Sequence, residues 1–177
     1  TRAVAKEAGI DTDAGVLSAN VVNTNRQRLG SVFDQADDLA GGVPTQAEGM
    51  AAVNLVGTAE EFMTEGVKIP KALNDTANTI GNAFIDGVEL DAKTIKQMRA
   101  KLNEAIKRYS RAADKQIEYG LAEDLLDTLD DMVTRQISAT SPEFMDTLNT
   151  ARQQYRAHLT MERALTGGGQ GKAAGRI

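Results

Sequence analysis

From residue 91 to residue 165 the apolar positions recur with the step of an α-helix. Ile95, Met98, Leu102, Ile106, Tyr109 and Ala113 lie three and four residues apart and mark one apolar stripe. At about 100° per residue, Lys96, Lys101, Lys107, Arg108, Arg111 and Lys115 fall on the opposite side. The preceding "DGVELDAKT" offers Gly87 as a turn and Asp91 as an N-cap, whose side chain can accept an otherwise unpaired backbone N–H. Gly120 is expected to break the chain. Beyond it, Leu121, Leu125, Leu129, Met132 and Val133 form one broad face, with Glu123, Asp124, Asp127 and Asp131 opposite. "TSPEF" restarts the pattern, with Ser141 as N-cap, Pro142 at the first helical position and Glu143 where the positive end of the helix dipole favours it. In this third segment Phe144, Leu148, Ala151, Tyr155 and Leu159 share a face, Arg152, Arg156 and Arg163 flank it, and His158 sits on its other edge. Three helices joined by short turns predict a bundle-like core over residues 87–165.

The first 86 residues are less sharply patterned. "AGGVPTQ" and "GVKIPKA" read as connectors, and the prolines Pro44, Pro70 and Pro142 all fall where a helix would begin or pause. Between them lie Ala/Asn/Thr-rich segments of modest helical quality, roughly Ala14 to Ala40, Thr45 to Glu65 and Lys71 to Asp86. The run from Val21 to Asn25 is a poor helix interior by propensity. No strand-like alternation lasts long enough to build a sheet. The expectation is an all-α chain, a helical bundle or stacked helical hairpins. It would have a loosely packed helical region over 1–86, and Gly167, Gly168 and Gly169 would close the last helix before a flexible linker or tail over 166–177.

Composition narrows the picture. With 41% apolar residues but only 4% aromatic and no Trp, the core must come from Ala, Leu, Ile, Val and Met, which favours thin helix–helix seams. No run approaches the roughly 20 apolar residues that a membrane span needs, and no signal-peptide pattern opens the chain. With no Cys there is neither a disulfide framework nor thiolate chemistry. A chain that begins at Thr1 and ends "TGGGQGKAAGRI" is expected to be a processed product or a piece of something longer. The net charge of -5 argues against wholesale nucleic-acid binding but not against a local basic face.

The charge is segregated. From Lys93 to Lys115 eight basic residues stand against two acidic ones, net +6; from Glu118 to Asp131 there are six acidic residues and no basic one, net -6. Helices of opposite sign can set the register of a pair, within one chain or between copies. Each exposed pair contributes only about 0–1 kcal/mol, so the seam itself must be apolar. The face of Lys96, Lys101, Lys107, Arg108 and Arg111 is accordingly a solvated or partner-pairing surface, or a non-specific contact for phosphate backbone. Against the latter, Tyr109 lies on the apolar stripe and gives no stacking platform. Arg152 and Arg156, with Asp127 and Asp131, are candidates for inter-helix or inter-subunit pairing.

Catalytic chemistry finds little purchase. His158 has no neighbouring nucleophile, carboxylate or second metal ligand in sequence, and an edge-of-core histidine making an ordinary hydrogen bond is the simpler assignment. Asp127 and Asp131 lack the alternate-residue ligand spacing and Gly turn of a Ca²⁺ loop. The glycines at 167–169 follow a helix instead of opening one, unlike a phosphate-cradling loop. Glycan hydrolysis would need a carboxylate in a cleft, whereas these lie on solvent-facing stripes. No catalytic, metal or cofactor site is expected.

"GVELDAKTIKQMRAKLNEAIKRYSRAAD", "LAEDLLDTLDDMVTRQI" and "FMDTLNTARQQYRAHLTMERAL" resemble a recurrent helical region of large virion proteins in tailed bacteriophages and prophages. The shared elements are the Asp/Gly turn, the Arg99–Leu102 step and the Ala151–Arg156 segment "ARQQYR"; "RLGSVFDQA" is similar to an upstream element of that region. The resemblance implies a location in the virion, after synthesis in the host cytoplasm, and it carries over no catalytic residues; with no catalytic motif in the chain, the expectation is a non-enzymatic structural protein. Members are commonly labelled internal virion, DNA-ejection or uncharacterised structural proteins, and some carry enzymatic domains elsewhere in the polypeptide; for this chain the expectation is an internal core or DNA-ejection component. It further implies other virion proteins as partners, homo-oligomeric assembly and a candidate contact with genomic DNA. A tail or head–tail adaptor module and a nucleic-acid-binding helical module are the alternatives.

Overall fold

A computed structural model describes residues 2–10, 19–63 and 68–167. Among them are seven α-helices and two short 3-10 turns, and the chain is all-α. The helices are α1 (Arg2–Glu7), α2 (Ala19–Leu39), α3 (Gln46–Phe62), α4 (Lys71–Asp86), α5 (Ala92–Tyr109), α6 (Gln116–Thr140) and α7 (Met145–Gly167). Of the linker expected over 166–177, Thr166 and Gly167 belong to α7 and the rest lies outside the described residues, as do the expected helix limits at Ala14 and Glu65.

Two compact units result. One comprises Thr1–Gln35 with Glu143–Ile177, the other Ala36–Pro142. This division differs from the boundaries at 86 and 165 drawn from sequence. Helices α3 and α4 are part of the same packed unit as α5 and α6, while α7 is grouped with α1. On α3 the buried face is Gly49, Ala52, Val56 and Ala59, and on α4 it is Leu73, Thr76, Ala77, Ile80, Gly81 and Ala83.

In the second unit α3 contacts α4 and α6, and α5 contacts the same two helices, so the four close a ring. Gly49 on α3 lies against Phe84, whose Cβ is 2.6 Å from where a Gly49 Cβ would stand, and Gly81 on α4 lies equally close to Val53. Each glycine receives the other helix's side chain, and a Cβ at either would force the pair apart. Leu73, Ile80, Ile95, Leu102, Leu125, Leu129, Met132 and Ile137 fill the interior. Burying each contributes roughly 1.5–3 kcal/mol. Pro70 precedes the first turn of α4, where a missing N–H costs nothing. Gly87 ends that helix at φ 61, as the sequence predicts. The linkers before α3 and α5 are joined by a pair of backbone hydrogen bonds, Gly42 N–H to Leu90 O (3.1 Å) and Leu90 N–H to Gly42 O (3.0 Å).

Two details depart from expectation. Gly120 lies inside α6 and does not break it; the break comes earlier, at Ser110–Ala112, followed by a 3-10 turn at Ala113–Lys115. Pro142–Phe144 likewise form a 3-10 turn before α7 begins, and Ser141 closes α6, its N–H bonded to Ile137 O at 2.8 Å. Pro142 lacks the donor that continuation of α6 would need.

In the first unit Ala5, Ala8, Ile10, Val22, Ala157 and Met161 form one cluster between α1, the start of α2 and α7. The poor helix former Asn25 is buried here and its amide is fully engaged. Nδ2 donates to Ala8 O (2.9 Å) and approaches His158 Nδ1 (3.4 Å), while Oδ1 accepts from Arg28 Nη2 (2.9 Å). Tertiary bonding thus overrides weak propensity.

Candidate functional site

Asp91 starts α5 as predicted, accepting from Thr94 N–H at 2.7 Å. Hydrogen bonding from the Thr94 side chain, and then from its backbone N–H, holds the Asp91 carboxyl below the usual carboxylate range. Ile95, Met98, Leu102 and Ala105 are buried on one side of the helix, whereas Ile106 and Tyr109 are only half-buried. The outward face therefore carries exposed Lys101, Lys107 and Arg108, with exposed Arg111 in the turn beyond. Arg108 lies 5.8 Å from the centre of the Tyr109 ring, so the aromatic meets a cation of its own helix. Lys96 differs from the others, being half-buried and bonded to Asp38 at 2.7 Å.

On α6 the five predicted apolar residues, Leu121, Leu125, Leu129, Met132 and Val133, are all buried. Glu123, Asp124, Asp127 and Asp131 are all exposed opposite them. Partial burial, reinforced by the charges of Asp130, Asp124, Asp131 and Glu123, pushes the Asp127 carboxyl up. The stripe is thus a concentrated negative field. Glu118, by contrast, is buried and bonded to Lys115 Nζ at 3.1 Å, a contact that raises the Lys115 ammonium.

Two polar clamps go beyond what the apolar pattern predicts. Arg99 on α5 donates from Nε to Asp37 Oδ2 (2.8 Å), from Nη2 to Asp37 Oδ1 (2.8 Å) and from Nη1 to Asp130 Oδ1 (2.6 Å). Burial disfavours its charge, yet the hydrogen bonds to Asp37 and the Asp130 charge outweigh this and hold the guanidinium well above its ordinary value. One planar fork therefore ties α2, α5 and α6 together. Arg135 on α6 similarly grips Glu48 on α3, Nε to Oε1 at 2.7 Å and Nη2 to Oε2 at 2.8 Å. Glu48 also accepts from Thr45 N–H (2.7 Å) and donates its own N–H to Thr45 Oγ1 (3.3 Å), completing a capping box for α3. Partial burial opposes the Glu48 charge, but the Arg135 and Thr45 bonds prevail and lower the carboxyl. The signals were present. Arg99 stands four residues after Ile95 and three before Leu102, which puts a cation on the apolar stripe, and "TQAE" is a capping-box pattern.

The charged stripes thus meet within the chain through Arg99 and Asp130. Arg152 and Arg156, placed on α7 in the first unit, are half-buried and exposed respectively. Their neighbour His158 is fully buried instead of lying on the edge of the seam, because the buried face of α7 runs through Leu148, Ala151, His158 and Met161. Leu159 is half-buried. Tyr155 meets Phe33 edge-on with ring centres 5.6 Å apart and stacks near His158 at 6.4 Å. The histidine thus packs as a core residue.

An open groove of about 680 Å³ runs between α3 and α6, lined by Leu55, Ala59 and Phe62 on one side and by Ile117, Gly120, Leu121, Asp124 and Asp127 on the other. Among the described residues no cluster of three or more His, Asp or Glu is placed to hold a metal ion, and no helix is long and apolar enough to cross a membrane. In comparisons with known proteins, the chain matches no family model, no curated protein and no solved structure.

Proposed function

We propose that this chain is a non-enzymatic structural component of a tailed-bacteriophage virion, belonging to the internal core or the DNA-ejection apparatus and assembling with other virion proteins and with further copies of itself. The observation that carries this reading is how the second unit deploys its charge. Arg99, largely buried, and Arg135, partly exposed, tie helices together, while Lys101, Lys107 and Arg108 on α5, Arg111 in the turn after it, and Asp124, Asp127 and Asp131 on α6 remain on the outside. Apolar seams fix the fold and leave two strongly polar faces for neighbours. The resemblance of the α5, α6 and α7 sequences to virion proteins supplies the setting. The test is quantitative mass spectrometry of gradient-purified particles. The account expects this chain at a fixed multiple of copies per particle, made in the host cytoplasm and retained after nuclease treatment; its absence from purified particles would overturn it.

A head–tail or tail adaptor module uses the same faces and is separated by where in the particle the chain resides. The exposed basic face of α5 favours a further reading, contact with genomic DNA. Lys96 contributes less to it, because Asp38 already engages its ammonium. Such contact predicts duplex binding in a gel shift that weakens steeply between about 50 and 200 mM salt; binding insensitive to salt, or none, removes it.

A further inference from the structure

The groove between α3 and α6 is left over once the four-helix unit has closed. Its walls follow helical spacing: Ala51, Leu55 and Phe62 on α3, Ile117, Leu121 and Asp124 on α6. Eleven residues separate Ala51 from Phe62, so the trough is about 16 Å long, some three helical turns at roughly 1.5 Å per residue. Apolar surface here faces outward. Phe62 is 72% exposed and Ile117 is 38% exposed. Between the walls the floor is shallow at Ala59 and at Gly120, where an added Cβ would meet no atom within 4 Å. Small residues at such a point let another helix backbone come close. A contiguous apolar trough rimmed by polar groups is the usual mark of a docking surface.

The rim has one sign. Asp124 and Asp127 border it on α6, and the neutral Asn54 and Thr58 border it on α3. The Asp127 carboxyl is already pushed up by partial burial and by its acidic neighbours, so a cation arriving there relieves repulsion as well as gaining attraction. We infer that this groove seats an amphipathic helix of a partner protein whose apolar stripe is flanked by lysine or arginine. A second copy of this chain is poorly suited. Its basic helix α5 keeps Ile95, Met98 and Leu102 inside its own bundle and presents cations without an apolar ridge. Two grooves face to face would set Asp124 and Asp127 against their own counterparts. Phosphate-bearing ligands meet the wrong charge. The inference rests on the proposed virion role only for the partner's being a neighbouring virion protein; the groove and its charge are independent of that role.

The probe is a fluorescein-labelled, alanine-based peptide of roughly five helical turns, with leucine in one stripe and lysine on both flanks. Its control carries glutamate at every lysine position. Measured by fluorescence anisotropy against the full chain, the lysine peptide should bind saturably and the glutamate peptide at least about tenfold more weakly. Gly120→Leu, which fills the floor at a helical position that has room for it, should weaken binding at least about tenfold; Asp127→Lys should do the same. Circular dichroism should show both variants folded. Equal binding of the two peptides, no binding, or binding unaffected by Gly120→Leu would overturn the inference. Concentration-dependent self-association in sedimentation that Gly120→Leu abolishes would also overturn it, by assigning the groove to a second copy. Failure here leaves the particle mass spectrometry untouched, and absence from particles leaves the groove untouched.

Discussion

Replacing Arg99 by methionine keeps the length of the side chain and removes its charge. In the native unit the guanidinium makes two 2.8 Å bonds to Asp37, which is 1% exposed, and one 2.6 Å bond to Asp130, which is 35% exposed. The two partners respond differently. Asp130 can recover water, so losing its contact costs at most about 1 kcal/mol. Asp37 cannot, and a buried carboxylate deprived of its cation dominates, giving a total of about 3–5 kcal/mol. Urea titration followed by circular dichroism measures the loss, and hydrogen exchange of α5 and α6 amides assigns it to this unit. Asp37→Asn alone should cost about 1–3 kcal/mol through its weakened bonds. The double variant should be more stable than the sum of the single losses implies, by at least about 1 kcal/mol, because it leaves no buried charge. A loss below about 1 kcal/mol, or additivity within about 0.5 kcal/mol, would refute the assignment of Arg99 as the clamp of this unit.

Three further outcomes follow from the packing and the charges. Leu148→Ala, at a fully buried position, should cost about 2–5 kcal/mol in urea titration, and Leu159→Ala, half-buried, clearly less; equal losses would mean that the seam of α7 is misplaced. Glu48 has a lowered carboxyl, so its contribution is present above its unfolded value of 4.5 and is lost as pH falls through the lower folded value. Glu48→Gln should therefore flatten the acid limb of the stability–pH curve below about 4.5, as read by thermal melts; an unchanged limb contradicts the clamp to Arg135. For Asp127 the sign reverses. Its folded carboxyl lies above the unfolded value of 3.8, so ionisation opposes folding, and the penalty disappears below 3.8. Asp127→Asn should stabilise the chain at neutral pH by up to about 0.5 kcal/mol and make no difference in acid; destabilisation at neutral pH would show that the carboxylate serves the fold.

Much of this architecture is written in the spacing of apolar residues. The stripes of α5 and α6, the Asp91 cap, the Gly87 turn and the limits of α4 at Lys71 and Asp86 all follow from local rules that tertiary contacts reinforce. What spacing does not reveal is which helix receives which stripe. The α3–α4 contact depends on Gly49 and Gly81, whose contribution is the absence of a side chain, so no hydrophobic pattern marks it. Propensity predicts a break at Gly120, yet α6 runs through it because buried Leu121, Ala122 and Leu125 hold the following turns. The net charge of a segment carries no information about where each charge lies. Arg99 and Asp130 count toward the +6 and -6 runs while lying on the borders of apolar stripes, where they act as internal ties. The α3–α6 groove was illegible for a related reason, since it exists only where two unremarkable faces stand side by side.

A density map of the intact particle tests the central claim most directly, because it shows whether outward charge and the open groove are surfaces for neighbours. The account predicts this chain in several copies, with α5 or α6 contacting another molecule and a helix from a different protein in the α3–α6 groove. A map that contains the chain but leaves Lys101, Arg108, Asp127 and Phe62 in solvent in every copy would contradict it.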